Sequence, residues 1–211
     1  MHAHTRTTKI ASLSALLLVA ATTAMAVGSR RNLCHNGTFD AEEGPLDGWM
    51  TDYQWEGNSH YMQNHTRVSV LPRHKGKRNV LFINGSSETK VESRPIPFEQ
   101  GARYRCTLDM QGNTSPHIYF TGYKWNPGVR PNDNPHIGDL RRIYKSQFRN
   151  HEIRNIGGGW KRVQFEFPMK DLSKLAMKHL RYVRFITVYI IVLADFPGQI
   201  YVDNVEVEQI R

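Results

Sequence analysis

Cysteine is rare in this chain: Cys34 and Cys106 are the only two among 211 residues. Without a C-x-x-C pair, the chain cannot form a zinc ribbon. Two cysteines allow one disulfide, and a bridge closing a loop of roughly 70 residues would stabilise the fold by about 4 kcal/mol in the chain-entropy model. Cys106 also alternates with Tyr104 and Leu108, a pattern that suits a small buried side chain. The sequence therefore leaves a Cys34–Cys106 disulfide and two buried thiols both open.

Long hydrophobic runs are missing as well. A bilayer-spanning helix needs about 20 apolar residues, and the apolar stretches 13–21 and 185–194 are both too short. The first follows the basic residues Arg6 and Lys9 and precedes Ala24-Met25-Ala26, an A-x-A cleavage sequence. We therefore predict a signal peptide over 1–26, with a retained anchor as the alternative. The mature protein is predicted to be secreted, extracellular or periplasmic, without a membrane span.

Acidic residues are outnumbered: 28 lysines and arginines stand against 19 aspartates and glutamates, a formal net charge of +9. An excess of this kind suits nucleic acid, an acidic polymer or a solvated basic surface. The basic residues are scattered through 73–78, 141–142 and 170–184, and no single arm collects them. Export also argues against nucleic acid. We therefore favour a solvated basic surface, with an acidic polymer as a possible partner.

Alternating strand and helix patterns are absent too, which argues against a parallel sheet. Short β-rich runs between turn residues predict strands over 68–71, 79–83, 104–110, 117–125, 160–167, 182–193 and 200–207. A helical spacing of apolar residues predicts one short helix near 170–181, and Asn84-Gly85 is typical of a hairpin turn. The mature chain of about 185 residues is long enough for one core. We predict an all-β protein over 27–211: a single β-sandwich of two antiparallel sheets with one short helix.

Five motifs in order carry a family resemblance. They are Asn36-Gly37-Thr38-Phe39-Asp40, Gly48-Trp49, the stretch from Arg94-Pro95 to Tyr104, Gly159-Trp160 and Ile200-Tyr201-Val202-Asp203-Asn204-Val205. Together they cover approximately 33–208, and the chain resembles the galactose-binding-like carbohydrate-binding modules of families four, nine and twenty-two. The resemblance implies a jelly roll that binds polysaccharide or oligosaccharide without catalysis. It also implies a monomer, with a possible accessory role beside glycoside hydrolases.

A calcium ion is also implied by the resemblance. In that family a structural calcium lies between the first and last strands, and the matching carboxylates here are Asp40 and Asp203. Calcium takes six to eight oxygen ligands, and Asp40 is shorter than the glutamate usual at its position. The alternative is that Asp203 caps a strand end by accepting hydrogen bonds from turn amides.

The richest candidate for a ligand-binding strand is the segment 117–125. If it is extended, one face carries His117, Tyr119, Thr121, Tyr123 and Trp125. Rings with polar tips suit a half-exposed saccharide site, and we expect Tyr189 on the same face and Trp55 in a loop at its edge. The alternative is that Tyr119 and Tyr123 fill the sandwich. Trp49 and Trp160 are predicted to lie in the core.

Catalytic motifs are absent. The chain has no G-x-S-x-G elbow and no H-E-x-x-H helix, and we assign no catalytic residue. Asp109 and Glu166 are possible glycosidase acids, but their context matches ordinary surface residues. A hydrolase or polysaccharide lyase acting on an acidic glycan remains an alternative because the chain is basic and carries Tyr119, Tyr123 and Lys124 together. A structural domain of the cell surface, used for protein contacts, is the third alternative.

Overall fold

Two antiparallel sheets packed against one another form the body of the protein. The computed structural model describes residues 31–51, 67–85, 88–147, 152–169 and 173–210. Within these ranges the strands are β1 (Trp49–Met50), β2 (Val68–His74), β3 (Lys77–Asn84), β4 (Thr89–Ser93), β5 (Ile96–Pro97), β6 (Arg103–Gly112), β7 (His117–Trp125), β8 (Leu140–Gln147), β9 (Glu152–Gly157), β10 (Trp160–Phe167), β11 (Phe185–Val192) and β12 (Gln199–Ile210). One helix, α1 (Lys174–Leu180), and a 3₁₀ turn at Ile137–Asp139 complete the described elements.

The strands divide between the two sheets in a jelly-roll order. The first sheet runs β1-β4-β11-β7-β8, with β5 paired to β11, and the second runs β2-β3-β12-β6-β10-β9. Every pairing is antiparallel. The predicted all-β sandwich of two antiparallel sheets with one short helix is confirmed. The helix is shorter than predicted and begins at the N-cap Ser173, whose hydroxyl accepts the amide of Ala176.

The core lies between the sheets and is filled by alternate residues of the central strands. Phe120 of β7 packs against Phe165 and Phe167 of β10, with ring centroids 5.6 and 5.1 Å apart. In β6 the predicted alternation holds, because Tyr104, Cys106 and Leu108 are buried while the residues between them are partly exposed. Strand β11 is buried at all eight positions, since it lies between β4 and β7. This explains why its sequence is apolar on both faces.

The opening segment of the described chain docks on the last strand, but residues 35–38 form turns and not the first strand that the resemblance implied. A bulge in β12 between Asp203 and Glu206 takes Val205 out of register with β6. The amide of Val205 donates to the carbonyl of Gly37 at 2.8 Å, and the carbonyl of Val205 accepts Asn32 Nδ2 at 3.0 Å. The bulge thereby turns one residue of the closing strand into an anchor for the opening segment.

Two sequence-based expectations need correction. Asn84-Gly85 does not close a hairpin, because β3 belongs to the second sheet and β4 to the first. Trp49 joins the main core, but Trp160 is buried outside it, against His74 and beneath the ammonium of Lys77. Along β10 the indole of Trp160 lies on the same side of the sheet as Arg162, because Val163 and Phe165 alternate with them and face the core.

The two cysteines are both free and buried in this structure. This is the arrangement of the second alternative, and the Cys34–Cys106 disulfide stays a prediction. Burial raises the pKa of Cys34 to about 12. The predicted signal peptide over 1–26 and the predicted site residue Trp55 lie outside the described residues. In the described part of the chain, no helix has the length and apolar character needed to cross a membrane.

Candidate functional site

The predicted ligand-binding strand is a central strand of the first sheet, and its bounds are those expected. Its core face carries Ile118 and Phe120. On the opposite face, cross-strand neighbours align in pairs: Tyr119 lies opposite Tyr189 and Thr121 opposite Thr187. We call this surface the outer face; it comprises Lys90 and Glu92 of β4, His117, Tyr119, Thr121, Tyr123 and Trp125 of β7, Lys145 of β8, and Thr187 and Tyr189 of β11.

A pair of tyrosines and one lysine form the middle of the outer face. The rings of Tyr119 and Tyr189 meet edge to face, with centroids 5.6 Å apart. The ammonium of Lys145 lies 3.9 Å from the centroid of Tyr119 and 4.7 Å from that of Tyr189. Such contacts stabilise the cation through the ring quadrupole. Loss of water, followed by the positive charges of Arg142 and Lys90, lowers the pKa of Lys145.

Beside the tyrosine pair lies a buried carboxyl group. Glu92 is 1% exposed, and its Oε1 accepts the hydroxyl of Tyr123 at 2.6 Å and that of Thr187 at 2.5 Å. Burial raises the pKa of Glu92, and the two hydroxyl hydrogen bonds oppose this effect only in part. Glu92 therefore anchors the tyrosine and threonine hydroxyls from below.

The two ends of β7 differ in character. At the beginning, His117 is partly exposed and its Nδ1 lies 3.3 Å from the hydroxyl of Tyr119. At the end, Trp125 packs edge to face on Phe185 at 5.4 Å and belongs to a second small apolar cluster around Tyr123, Ile137 and Leu140. The open, polar part of the outer face is therefore the end formed by His117, Tyr119 and Lys145.

A pocket adjoins the apolar end. It has a volume of about 350 Å³, and the loop before the 3₁₀ turn closes it against β1 and β4. Its lining includes Met50, Ser93, Arg94, Asn134, His136 and Ile137. The loop over residues 127–136 borders this pocket through Asn134 and His136.

The structure brings together five of the six residues predicted to bind a ligand. His117, Tyr119 and Trp125 are partly exposed, whereas Tyr123 is 5% and Tyr189 is 3% exposed. Tyr123 and Tyr189 therefore support their neighbours rather than offering a free ring face. Sequence reasoning missed Glu92 and Lys145, because neither segment carries a local pattern that identifies these two residues.

The two carboxylates predicted to share calcium have separate partners. Asp203 Oδ2 accepts the ammonium of Lys77 at 2.9 Å, and its Oδ1 accepts the amide of Asn204 at 2.8 Å. Asp40 Oδ1 accepts the hydroxyl of Thr38 at 2.6 Å and is exposed. Across the described ranges, no group of three or more His, Cys, Asp or Glu side chains could hold a metal ion. The ammonium of Lys77 already pairs with Asp203, so the described arrangement does not fit a calcium ion shared with Asp40. The calcium site stays a prediction.

The possible glycosidase acids lie on the second sheet and are held in ion pairs. Asp109 is fully buried and accepts Arg162 Nε at 2.7 Å and Lys77 Nζ at 2.7 Å. Burial opposes ionisation of Asp109, but the hydrogen bonds from Arg162, Lys77 and Asn204 together lower its pKa. Glu166 pairs with Arg103 and with Arg105. These contacts give both carboxylates a structural role, and neither lies on the outer face.

No family model matches this chain, and no curated protein matches it. Similar solved structures include a family 16 carbohydrate-binding module, with 15% identity, a TM-score of 0.45 and coverage of 83% of this chain and 99% of that one. Another is a family 61 module in complex with β-1,4-galactotriose, with 14% identity, a TM-score of 0.44 and coverage of 85% and 99%. A family 4 module has 11% identity, a TM-score of 0.39 and coverage of 80% and 98%. At these values the likeness carries no argument about ligand or mechanism.

Proposed function

We propose that this protein binds carbohydrate without catalysis, using the outer face of its first sheet. The observation that carries the proposal is the partly exposed ring of Tyr119, set between the imidazole of His117 and the ammonium of Lys145. Sugars present apolar C–H faces and polar hydroxyl edges, and an aromatic ring flanked by hydrogen-bonding groups meets both.

A second feature supports the same face. The hydroxyl of Thr121 is buried, and none of the described residues gives it a hydrogen-bond partner. Thr121 lies opposite both Thr187 and Lys145 in the sheet register. A buried hydroxyl without a partner costs free energy, and a ligand hydroxyl or a water reaching this position would satisfy it. We therefore place the hydroxyl of Thr121 at the bottom of the proposed site.

The finer assignment follows the sequence motifs. We propose a secreted module of the family four, nine and twenty-two type that acts alone or beside separate glycoside hydrolases. The terminal motifs that carry this resemblance lie together in the structure, with Gly37 bonded to Val205.

Affinity electrophoresis in gels containing polysaccharides, preceded by a glycan array, tests the proposal on the purified protein. We expect retardation by at least one polysaccharide and a several-fold loss of affinity in Tyr119→Ala, since each aromatic contact contributes on the order of 1 kcal/mol. Tyr182→Ala is the matched control, because Tyr182 is 46% exposed and lies in the turn after α1, off the outer face. Equal retardation of both variants and the native protein would place the site elsewhere.

A lyase acting on an acidic glycan is the second candidate, favoured by Lys145. Loss of water and then the charges of Arg142 and Lys90 lower the pKa of this lysine. A larger fraction of the amine is then unprotonated and able to accept a proton. In such a reaction the base removes the proton α to a uronate carboxylate, the C4–O bond breaks, and the leaving oxygen takes up a proton. New absorbance from unsaturated uronate would replace the binding proposal with this one. Absence of any glycan binding would favour the structural, protein-contact alternative.

A further inference from the structure

The class of ligand follows from the charges of the outer face; this step rests on the proposed function. Lys145 is exposed as a residue, yet its ammonium lies over two tyrosine rings. Burial, Arg142 and Lys90 lower the pKa of Lys145, and the negative charges of Glu92 and Glu88 oppose this larger effect, but no ion pair of Lys145 with a carboxylate is described. The cation is therefore held by aromatic rings and is available to an anion.

A second cation lies next to it on the same strand. Arg142 is opposite Tyr123 in the register of β7 and β8, and Lys145 is opposite Thr121. Cross-strand partners project to the same side of a sheet, so both cations belong to the side that carries Tyr119. Arg142 is exposed. Two neighbouring positive charges repel each other, and an anion bound between them removes that repulsion.

The only buried carboxyl group of the outer face is a poor counter-ion. Both hydroxyl hydrogen bonds described for Glu92 end on its Oε1, and burial raises the pKa of this acid. A protonated carboxyl group carries no charge, and even an ionised one is already engaged by Tyr123 and Thr187. Glu92 and Glu88 therefore offset the positive charge around Lys145 only in part, because burial, Arg142 and Lys90 still lower the pKa of Lys145.

The position of the Lys145 ammonium also favours an acidic ligand. The ammonium of Lys145 lies 3.9 Å from the centroid of Tyr119, where a sugar ring would stack. A neutral sugar must displace this cation from both rings and offers it no new charge partner. A sugar with an acidic substituent draws the ammonium to its own anion and leaves the ring free. The arrangement therefore discriminates in favour of acidic sugars.

We infer that the outer face binds an anionic glycan whose carboxylate or sulfate pairs with Lys145 and Arg142 while a sugar ring stacks on Tyr119. Either acidic group presents negatively charged oxygens to an ammonium and a guanidinium. Uronates and sulfated sugars are the two sources of this chemistry.

Isothermal titration at about 150 mM salt, which restricts charge interactions to about 8 Å, tests the inference. The probes are polygalacturonate, its methyl-esterified form, dextran sulfate and dextran. We expect at least a tenfold preference for one acidic polymer over its neutral counterpart. Lys145→Gln with Arg142→Gln should reduce that affinity at least tenfold. Arg154→Gln with Lys161→Gln removes the same charge from exposed positions on the second sheet and should change it less than twofold.

The outcomes are distinct. Preference for polygalacturonate identifies a uronate ligand, preference for dextran sulfate identifies a sulfated one, and either supports the inference. An equal loss in both double variants shows attraction of any polyanion to a basic protein and overturns it. Equal binding of acidic and neutral polymers, lost in Tyr119→Ala, overturns the anionic ligand but leaves the proposed function standing. If no polymer binds and the glycan array is also blank, the proposed function fails as well.

Discussion

Gly37 and Val205 are joined so closely that only glycine fits at the first position. The amide of Val205 donates to the carbonyl of Gly37 at 2.8 Å, and a Cβ built on Gly37 would lie 1.9 Å from the carbonyl oxygen of Val205. Both partners are backbone, so no side chain can move aside to make room. This contact closes the sandwich between the opening segment and β12.

Gly37→Ala should therefore destabilise the protein by about 2 kcal/mol or more, the range for overpacking a closed site. Urea unfolding measures the change. Thr38→Ala is the control, because Thr38 is exposed and its substitution should cost no more than about 0.5 kcal/mol. Equal stability of the two variants would show that the opening segment is not docked as described.

Glu92→Gln should remove a pH dependence of stability. Burial raises the pKa of Glu92, so its stabilising contribution is complete below the ordinary carboxyl pKa of about 4.3 and is lost as pH rises through the higher folded value. Glutamine keeps the carbonyl oxygen that accepts from Tyr123 and Thr187 but never ionises. We expect the variant to melt above the native protein at pH 8 and level with it near pH 4.

Thermal melts at pH 4, 6 and 8 measure this difference. Glu42→Gln, at an exposed position, serves as the control and should follow the native protein throughout. A Glu92→Gln variant that melts lower at every pH would show that the ionised carboxylate is required by its hydrogen-bond partners.

Melting with excess calcium and with chelator tests the metal predicted at Asp40 and Asp203. Lys77 holds Asp203 at 2.9 Å, and we therefore expect no change in Tm. A ligand that bound only the native state would raise Tm by mass action. A calcium-dependent rise that disappears in Asp203→Asn would establish the site and require Lys77 to move. Without calcium, Asp203→Asn should cost about 2 kcal/mol, because a bond to a charged group is lost.

The native protein should not react with a thiol reagent at pH 8. Cys34 and Cys106 are buried, and burial raises the pKa of Cys34 to about 12 and also that of Cys106. Little thiolate is therefore present, and thiolate is the reactive form. In denaturant, two thiols should titrate per chain. If none titrates in denaturant, the protein carries the disulfide.

The outer face was predictable only in part. The sequence of the segment 117–125 predicted both the strand and its two faces, because alternation along one strand is a local property. The strand Thr89–Ser93 gave no such signal: it is buried at all five positions, although Lys90 and Glu92 read as solvent-facing charges. Their burial depends on neighbouring elements that the local pattern does not contain.

The sequence by itself determined seven of the described strands, the two faces of β6 and β7, and the meeting of the opening and closing motifs. The strands and their faces rest on side-chain periodicity and turn chemistry within a few residues, whereas the meeting of the two motifs was implied by the resemblance. Only the tertiary structure decided that Lys145 lies over Tyr119 and Tyr189, and that Lys77 occupies Asp203. Such pairs join segments far apart in the chain, and their contact depends on strand order and register, which the pairing of whole strands sets.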